Sequence, residues 1–315
     1  MRIAFLGTPI FAVASLEALA REGFEIPAVF TQPDRPKGRG RQLGASPVKE
    51  AALRLGLTVR QPERIRSPEA MEALRGLALE AMVVVGYGQI IPRAIIDLAP
   101  LGIINVHASL LPRYRGAAPI QWAIAQGETR TGVTTMRIDA GLDTGDMLLK
   151  SELEIGSEET APELSARLAE SGAQLLITTM RGLAAGTIKP EPQDHAQHSL
   201  APILRKEDGL IDWHQPASSI HARARGFQPW PGAYTSFRGQ TLHIAKCAVT
   251  DFRAQTARPG TMLLPDRKRL LVACSGGSAL EILDVQIQGR NRVDAAAFRN
   301  GQRIIDNEQL GETTT

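Results

Sequence analysis

Asn105 and His107 stand two residues apart at the end of the apolar run LGIINV, and the chain then continues as HASLLPRYRG. In a β-strand, residues i and i+2 point to the same side, so the two polar side chains project together. The turn-forming and charged residues that follow cannot extend the strand. The pair therefore belongs where a sheet opens into a loop, which is where α/β folds place their chemistry. A second such place is IDAGLDTGDML, from Ile138 to Leu148, where a strand yields to a Gly-punctuated loop carrying Asp139, Asp143 and Asp146.

These residue types have complementary uses. An Asn amide donates to an oxyanion as it forms. A His takes a proton from an attacking amine or returns one to a leaving group, and an Asp orients and charge-stabilises the imidazole. Together they suit acyl transfer without a covalent enzyme intermediate, because no Ser or Cys nearby has a nucleophile-elbow context such as GxSxG. The His and Asp spacing is poor for a metal, and no metal is expected. By residue type alone the alternative stays open that a strand-end Asn and His merely cap backbone groups.

Two further stretches bear on function. After the first strand, where a dinucleotide fold would carry GxGxxG, the chain has GTP at positions 7 to 9 with a single Gly. A nicotinamide-dependent oxidoreductase is thereby disfavoured. Between residues 34 and 49 the sequence DRPKGRGRQLGASPVK sets Arg35, Lys37, Arg39, Arg41 and Lys49 against one acid. Its Gly and Pro spacing argues against a regular element and for a mobile loop able to mould itself to a polyanion. A solvated surface excursion is the bland alternative.

The surrounding elements must hold these groups. With 315 residues, 43% of them hydrophobic, the chain can bury a sizeable core and has length for two domains. A net charge of +3 is only weakly basic and names no partner. The opening MRIAFLGTP lacks a secretory pattern, and no apolar run approaches the roughly 18 residues a membrane helix needs. The two cysteines, Cys247 and Cys274, form no CxxC. A soluble cytoplasmic protein with reduced thiols is the expectation.

Up to about residue 150, strand patterns (MRIAFLG, IPAVFTQ, AMVVVGYG, LGIINVH, TGVTTMRID) alternate with helical ones. Ser46-Pro47 and Ser67-Pro68 give helix starts. Such alternation predicts an α/β fold with a mainly parallel sheet. TAPELSARLAESGAQLLITTMRGLAAG then reads as a long closing helix. From Ile188 to Gly209 the chain is polar and aperiodic and reads as a linker, with His195 and His198 as solvated histidines rather than a metal pair. Beyond it, TLHIAKCAV, GTMLLP, RLLVACSGG and ALEILDVQI have the spacing of a small antiparallel barrel. Arg223, Arg225, Arg290, Arg292, Arg299 and Arg303 are mixed with acids there, and would need to cluster on one face to attract a polyanion.

NVHASLLPRYRG followed by GVTTMRIDAGLDTGDML is similar to the signature of the folate-dependent formyltransferases. FLGTPIFA, the basic loop, VVVGYGQIIP, GLIDW and RGFQPWPGAY extend the resemblance over nearly the whole chain. It implies a Rossmann-like formyltransferase domain over residues 1–189, a linker over 190–208 and a C-terminal domain resembling an OB-fold over 209–315. It implies 10-formyltetrahydrofolate as donor and the α-amino group of initiator methionyl-tRNA as acceptor, with a monomer as the working form. By the same resemblance, Asn105, His107 and Asp143 are the catalytic set, and Ser109, Leu110, Leu111 and Pro112 line the folate site. Arg35, Lys37, Arg39 and Arg41 approach the tRNA acceptor stem. Two competitors remain: a sugar-nucleotide N-formyltransferase, against which the cationic loop speaks, and a non-catalytic RNA-binding protein on the same fold.

Overall fold

The computed structural model describes residues 1–37 and 42–311. The chain begins with β1 (Arg2–Gly7), α1 (Phe11–Arg21), β2 (Glu25–Phe30), β3 (Arg35–Lys37), β4 (Gln42–Gly44), α2 (Pro47–Arg54), β5 (Val59–Arg60) and α3 (Pro68–Arg75). It continues with β6 (Ala81–Val85), α4 (Arg93–Ile96), β7 (Ile103–His107), α5 (Pro119–Ala125), β8 (Arg130–Arg137), β9 (Met147–Glu154) and α6 (Ala161–Ala184). Both Ser-Pro starts are made as expected. Ser46 accepts from the Lys49 amide at 3.0 Å and Ser67 from the Ala70 amide at 3.2 Å, each with Pro in the first helical turn. A side-chain cap of this kind contributes about 1 kcal/mol.

The seven-stranded sheet runs β5-β2-β1-β6-β7-β8-β9. Pairings from β5 to β7 are parallel, and β8 and β9 are antiparallel to their neighbours. Every residue of β6 and β7 is buried, the pattern of central strands covered on both faces. β7 is pressed against α6 through Val106: a Cβ on Gly172 of that helix would sit 2.9 Å from Val106 Cγ1. With Val106 on the helix side, strand alternation sends Asn105 and His107 to the opposite face.

One expectation about the basic segment is overturned. β3 and β4 pair antiparallel, Arg35 opposite Gly44 and Pro36 opposite Leu43, so regular strands stand where the Gly and Pro spacing argued against any regular element. In a two-stranded ribbon alternate amides face outward, so Pro36 costs the ladder nothing if its nitrogen is on the open side. The residue leading into β3 is tied down, with Lys49 Nζ on Asp34 Oδ2 at 2.6 Å and Gln61 Nε2 on Asp34 Oδ1 at 2.8 Å. Arg39 and Arg41 lie outside the described residues.

By contacts the chain divides into two compact units that interleave along the sequence: Ile120–Thr129 and Ile155–Leu164 group with Ile203–Thr315. The second unit contains α7 (Ala217–Gly226), β10 (Ala233–Phe237), β11 (Gln240–Thr250), β12 (Met262–Leu263), β13 (Leu270–Ala273), β14 (Ala279–Ile287), β15 (Val293–Asp294) and α8 (Ala295–Gln302). Its strands form an antiparallel half-barrel in the order β10-β11-β14-β13-β12, with β15 beside β14. Trp213, Phe237, Leu242, Leu280 and Phe298 are among the residues filling its core. No helix among the described residues is long and apolar enough to cross a membrane.

Candidate active site

β7 and β8 pair with Asn105 opposite Met136 and His107 opposite Thr134. β8 leaves the sheet beside the start of β7, where the Ile138 amide donates to Ile103 O at 2.8 Å. The following loop doubles back, its Asp146 carbonyl accepting from the Arg137 amide at 2.9 Å. This return brings Asp143 Oδ2 to 3.7 Å from His107 Nδ1. Asp139 stays within the loop and shapes it, accepting from the Gly141 amide at 3.0 Å and from Thr144 Oγ1 at 2.8 Å. Of the three acids singled out from the sequence, Asp143 is therefore the one delivered to the histidine.

The imidazole is 6% exposed, and its Nε2 lies 2.9 Å from the Tyr114 carbonyl oxygen. A carbonyl only accepts, so Nε2 carries a hydrogen, and Nδ1 is the ring nitrogen turned toward Asp143. Asp143 is held in turn, since Oδ2 accepts from the Gly116 amide at 2.8 Å. Gly116 has φ +120, and a Cβ there would meet Ala201 O at 2.6 Å, so only glycine offers that amide from that backbone.

Asn105 is 9% exposed and lines a cavity of about 710 Å³ together with Gly86, Tyr87, Ile91, Met136, Ile138 and Asp143, among others. Its carboxamide takes no protein hydrogen bond among the described residues, so its donors are available to whatever fills the cavity. Thr8 Oγ1 and Gln32 Nε2 fix the Tyr87 backbone carbonyl at 3.0 and 3.2 Å. The Tyr87 phenol is buried without a partner among the described residues, and burial pushes it up to about 12.

Ser109, Leu110, Leu111 and Pro112 do not line this cavity. Two of them are fixed by contacts nearby. Ser109 Oγ donates to Arg113 O at 2.6 Å, the Leu111 amide donates to Thr134 Oγ1 at 3.1 Å, and Leu111 packs on Met136, which does line the cavity.

Several contributors were not singled out from the sequence. The Gly86–Ile91 segment supplies much of the wall; the sequence marked it only as part of the resemblance, with no role attached. Tyr114 contributes through its carbonyl, for which its residue type gives no sign. Arg115, 4% exposed, and Gln193, 5% exposed, lie beside the Asp143 loop.

The stretch 190–208 is held by backbone pairing at two points. Glu191 exchanges backbone hydrogen bonds with Met147, and Leu200 bridges to Arg115. Backbone pairing to fixed strands leaves no side-chain periodicity, which is why the segment reads as aperiodic. His195 Nδ1 sits 3.2 Å from Arg115 Nη2, while His198 Nδ1 meets the His195 carbonyl at 2.7 Å. His195 is thus a partner of a buried guanidinium as well as a surface residue. Among the described residues, no group of three or more His, Cys, Asp or Glu is placed to hold a metal ion.

The C-terminal arginines do not form one free patch. Arg225 donates to Glu159 O at 2.6 Å, Arg292 pairs with Asp284 at 2.6 Å, and Arg299 donates to Asp266 O at 2.6 Å. Phe227 is a core residue packed edge-on against Trp122, with ring centroids 5.3 Å apart, and Arg223 lies over its ring at 4.9 Å.

Known proteins give the arrangement its context. Residues 1–180 match the model of the formyl transferase family, and residues 203–303 match that of the formyl transferase C-terminal domain. The chain is 65% identical over 312 residues to a methionyl-tRNA formyltransferase of Solibacter usitatus, covering 99% of each. It is 54% identical over 316 residues to a methionyl-tRNA formyltransferase of Koribacter versatilis, covering 100% of both. Among solved structures, an N-formyltransferase of Helicobacter canadensis in complex with folinic acid and dTDP-3-aminofucose shares the fold. Its TM-score is 0.68 at 18% identity, over 89% of this chain and 98% of that one. Full-length identity at this level, with both domains matched in order, places the chain in the formyl transferase family.

Proposed function

We propose that this chain transfers the formyl group of 10-formyltetrahydrofolate to the α-amino group of methionyl-initiator tRNA, making formylmethionyl-tRNA for translation initiation. What carries the reading is the 65% identity to a methionyl-tRNA formyltransferase over 99% of both chains. The site suits the donor. Its cavity of about 710 Å³ is lined by apolar Val84, Ile91, Met136 and Ile138 and by Asn105 and Asp143, a mix suited to orienting a flat heteroaromatic ring. Leu111 supports that wall by packing on Met136.

When bound, the donor supplies a formyl carbonyl on a nitrogen able to leave. A free α-amine has a pKa near ~8, so a useful fraction of the acceptor is neutral and nucleophilic. The Asn105 amide donates to the oxygen on which charge develops, an interaction stronger in the transition state than in the ground state. His107 takes the amine proton at Nδ1, because Nε2 is committed to the Tyr114 carbonyl, and passes a proton to the folate nitrogen as the bond from the formyl carbon to that nitrogen breaks. Asp143, 3.7 Å away, stabilises the imidazolium that results. Arg35, Lys37, Arg39 and Arg41 meet the RNA phosphates. We assign the catalytic domain to residues 1–189, the linker to 190–208 and a tRNA-binding domain to 209–315, in a cytoplasmic monomer.

Formyl transfer from labelled 10-formyltetrahydrofolate tests the reading, with methionyl-initiator tRNA, uncharged tRNA and a UDP-amino-sugar offered in parallel. Label on charged tRNA alone is the expected result. Label on the sugar nucleotide would replace the acceptor, and no transfer by folded protein would leave a binding protein.

A further inference from the structure

One buried side chain outside the catalytic set grips the Asp143 loop from a distant part of the sequence. Gln193 lies in the polar stretch after α6, yet it is 5% exposed. Its Oε1 accepts from Nε and Nη2 of Arg115 at 3.0 and 2.6 Å. Its Nε2 donates to the backbone carbonyls of Asp143 and Gly145 at 2.8 and 2.7 Å. A carboxamide has two acceptor positions and two donor hydrogens, and here all of them are used.

Both ends of this clamp bear on the carboxylate beside His107. Arg115 is the neighbour of Gly116, whose amide binds Asp143 Oδ2 at 2.8 Å. Asp143 itself has φ +51, a left-handed conformation that a non-glycine residue keeps only when its surroundings over-determine it. The carbonyls gripped by Gln193 are those of Asp143 and of the residue two places on. Arg115, buried at 4% exposure with a further contact to His195, is a firm anchor for the other end.

We propose that Gln193 is a positioning residue: it ties the Asp143 loop to Arg115 and so sets Asp143 beside His107. The inference rests on the catalytic reading given above. The role demands an amide. Glu in its place would still accept from Arg115 but would turn a carboxylate oxygen toward two carbonyl oxygens. Asn offers the same groups on a side chain one methylene too short to span both partners.

The test uses the full chain carrying Gln193→Glu, Gln193→Asn, Asp143→Asn, and Gln193→Glu combined with Asp143→Asn. Small misplacements of a catalytic group cost up to about 10²-fold, so Gln193→Glu is expected to lower kcat by about 10- to 100-fold. KM for 10-formyltetrahydrofolate and for methionyl-tRNA should stay within about twofold, since Gln193 is buried and does not line the cavity. Because Gln193 acts through Asp143, the double variant should be no slower than Asp143→Asn alone. Losses that multiply in the double variant, or a raised KM with kcat intact, would overturn the proposal. If Gln193→Glu does not fold, Gln193→Asn combined with Asp143→Asn decides by the same criterion. Asp143→Asn with normal kcat would instead sink the catalytic reading, whereas a crippled Asp143→Asn beside an unimpaired Gln193→Glu removes only this inference.

Discussion

The backbone carbonyl of Tyr114 lies 2.9 Å from Nε2 of His107, on the side of the ring away from Asp143. The imidazole is therefore oriented by the main chain, and Asp143 shares the reactive side with Nδ1. Asp143→Asn should leave the ring in place while removing the charge that stabilises its protonated form. Loss of a positioned acid or base costs about 10²- to 10⁴-fold. His107→Asn is expected in that range and Asp143→Asn near its lower end, both read as single-turnover formyl transfer at saturating substrates.

Asn105 contributes a donor and no proton transfer. Removing one oxyanion donor costs about 10²- to 10³-fold in rate, so Asn105→Ala should lose that much kcat. Folate-analogue affinity, followed by fluorescence titration, should hold. A near-normal kcat would take Asn105 out of the active set.

Gly116→Ala tests the close packing under the site. The new methyl would lie 2.6 Å from Ala201 O at φ +120, and neither backbone can yield without disturbing its pairing. Strain of this kind costs roughly 1–3 kcal/mol. The urea midpoint should fall with the m-value unchanged, and kcat should fall as well because the same amide holds Asp143.

Arg41→Ala and Arg35→Ala should raise KM for methionyl-tRNA and leave folate affinity unchanged. A cation that meets an RNA phosphate contributes to the salt slope, about 0.7 to 0.9 per contact. Measuring KM across salt concentrations should therefore give a shallower slope for each variant. An unaltered slope would make the basic segment a solvated surface excursion.

Cys247 and Cys274 are buried, and burial pushes both thiols up to about 12. At pH 8 the native protein should resist thiol reagents and release both groups on denaturation. The linkage runs toward alkali: the folded thiols keep their protons through a range where unfolded ones, with pKa near ~8.5, have lost them. The unfolded state then binds fewer protons, so stability should be full below about pH 8 and decline as pH rises toward 12. Urea midpoints at pH 7 and pH 10 give the comparison, and alanine at both positions should flatten it.

How far the sequence carried depends on the range of the forces involved. Strand and helix patterns, the two Ser-Pro caps and the same-side projection of Asn105 and His107 follow from local periodicity and steric preference, so they were legible along the chain. The signature around Asp143 identified it only through resemblance, because Asp139 and Asp146 have the same chemistry and similar flanks. Choosing among them required the return of the 138–146 loop, set by pairing between β8, β9 and the start of β7. β3 and β4 were not legible because the Gly and Pro content around them suppresses strand propensity, which their cross-strand pairing overcomes.

Tertiary structure alone decided the remaining details of the site. Tyr114 orients the histidine with a main-chain atom common to every residue type. Gln193 belongs to a polar, aperiodic stretch and meets the loop 50 residues earlier in the chain. Composition and periodicity register which side chains prefer burial. They do not register which buried donor meets which acceptor, since that depends on distances between segments that only the folded chain brings within hydrogen-bond reach.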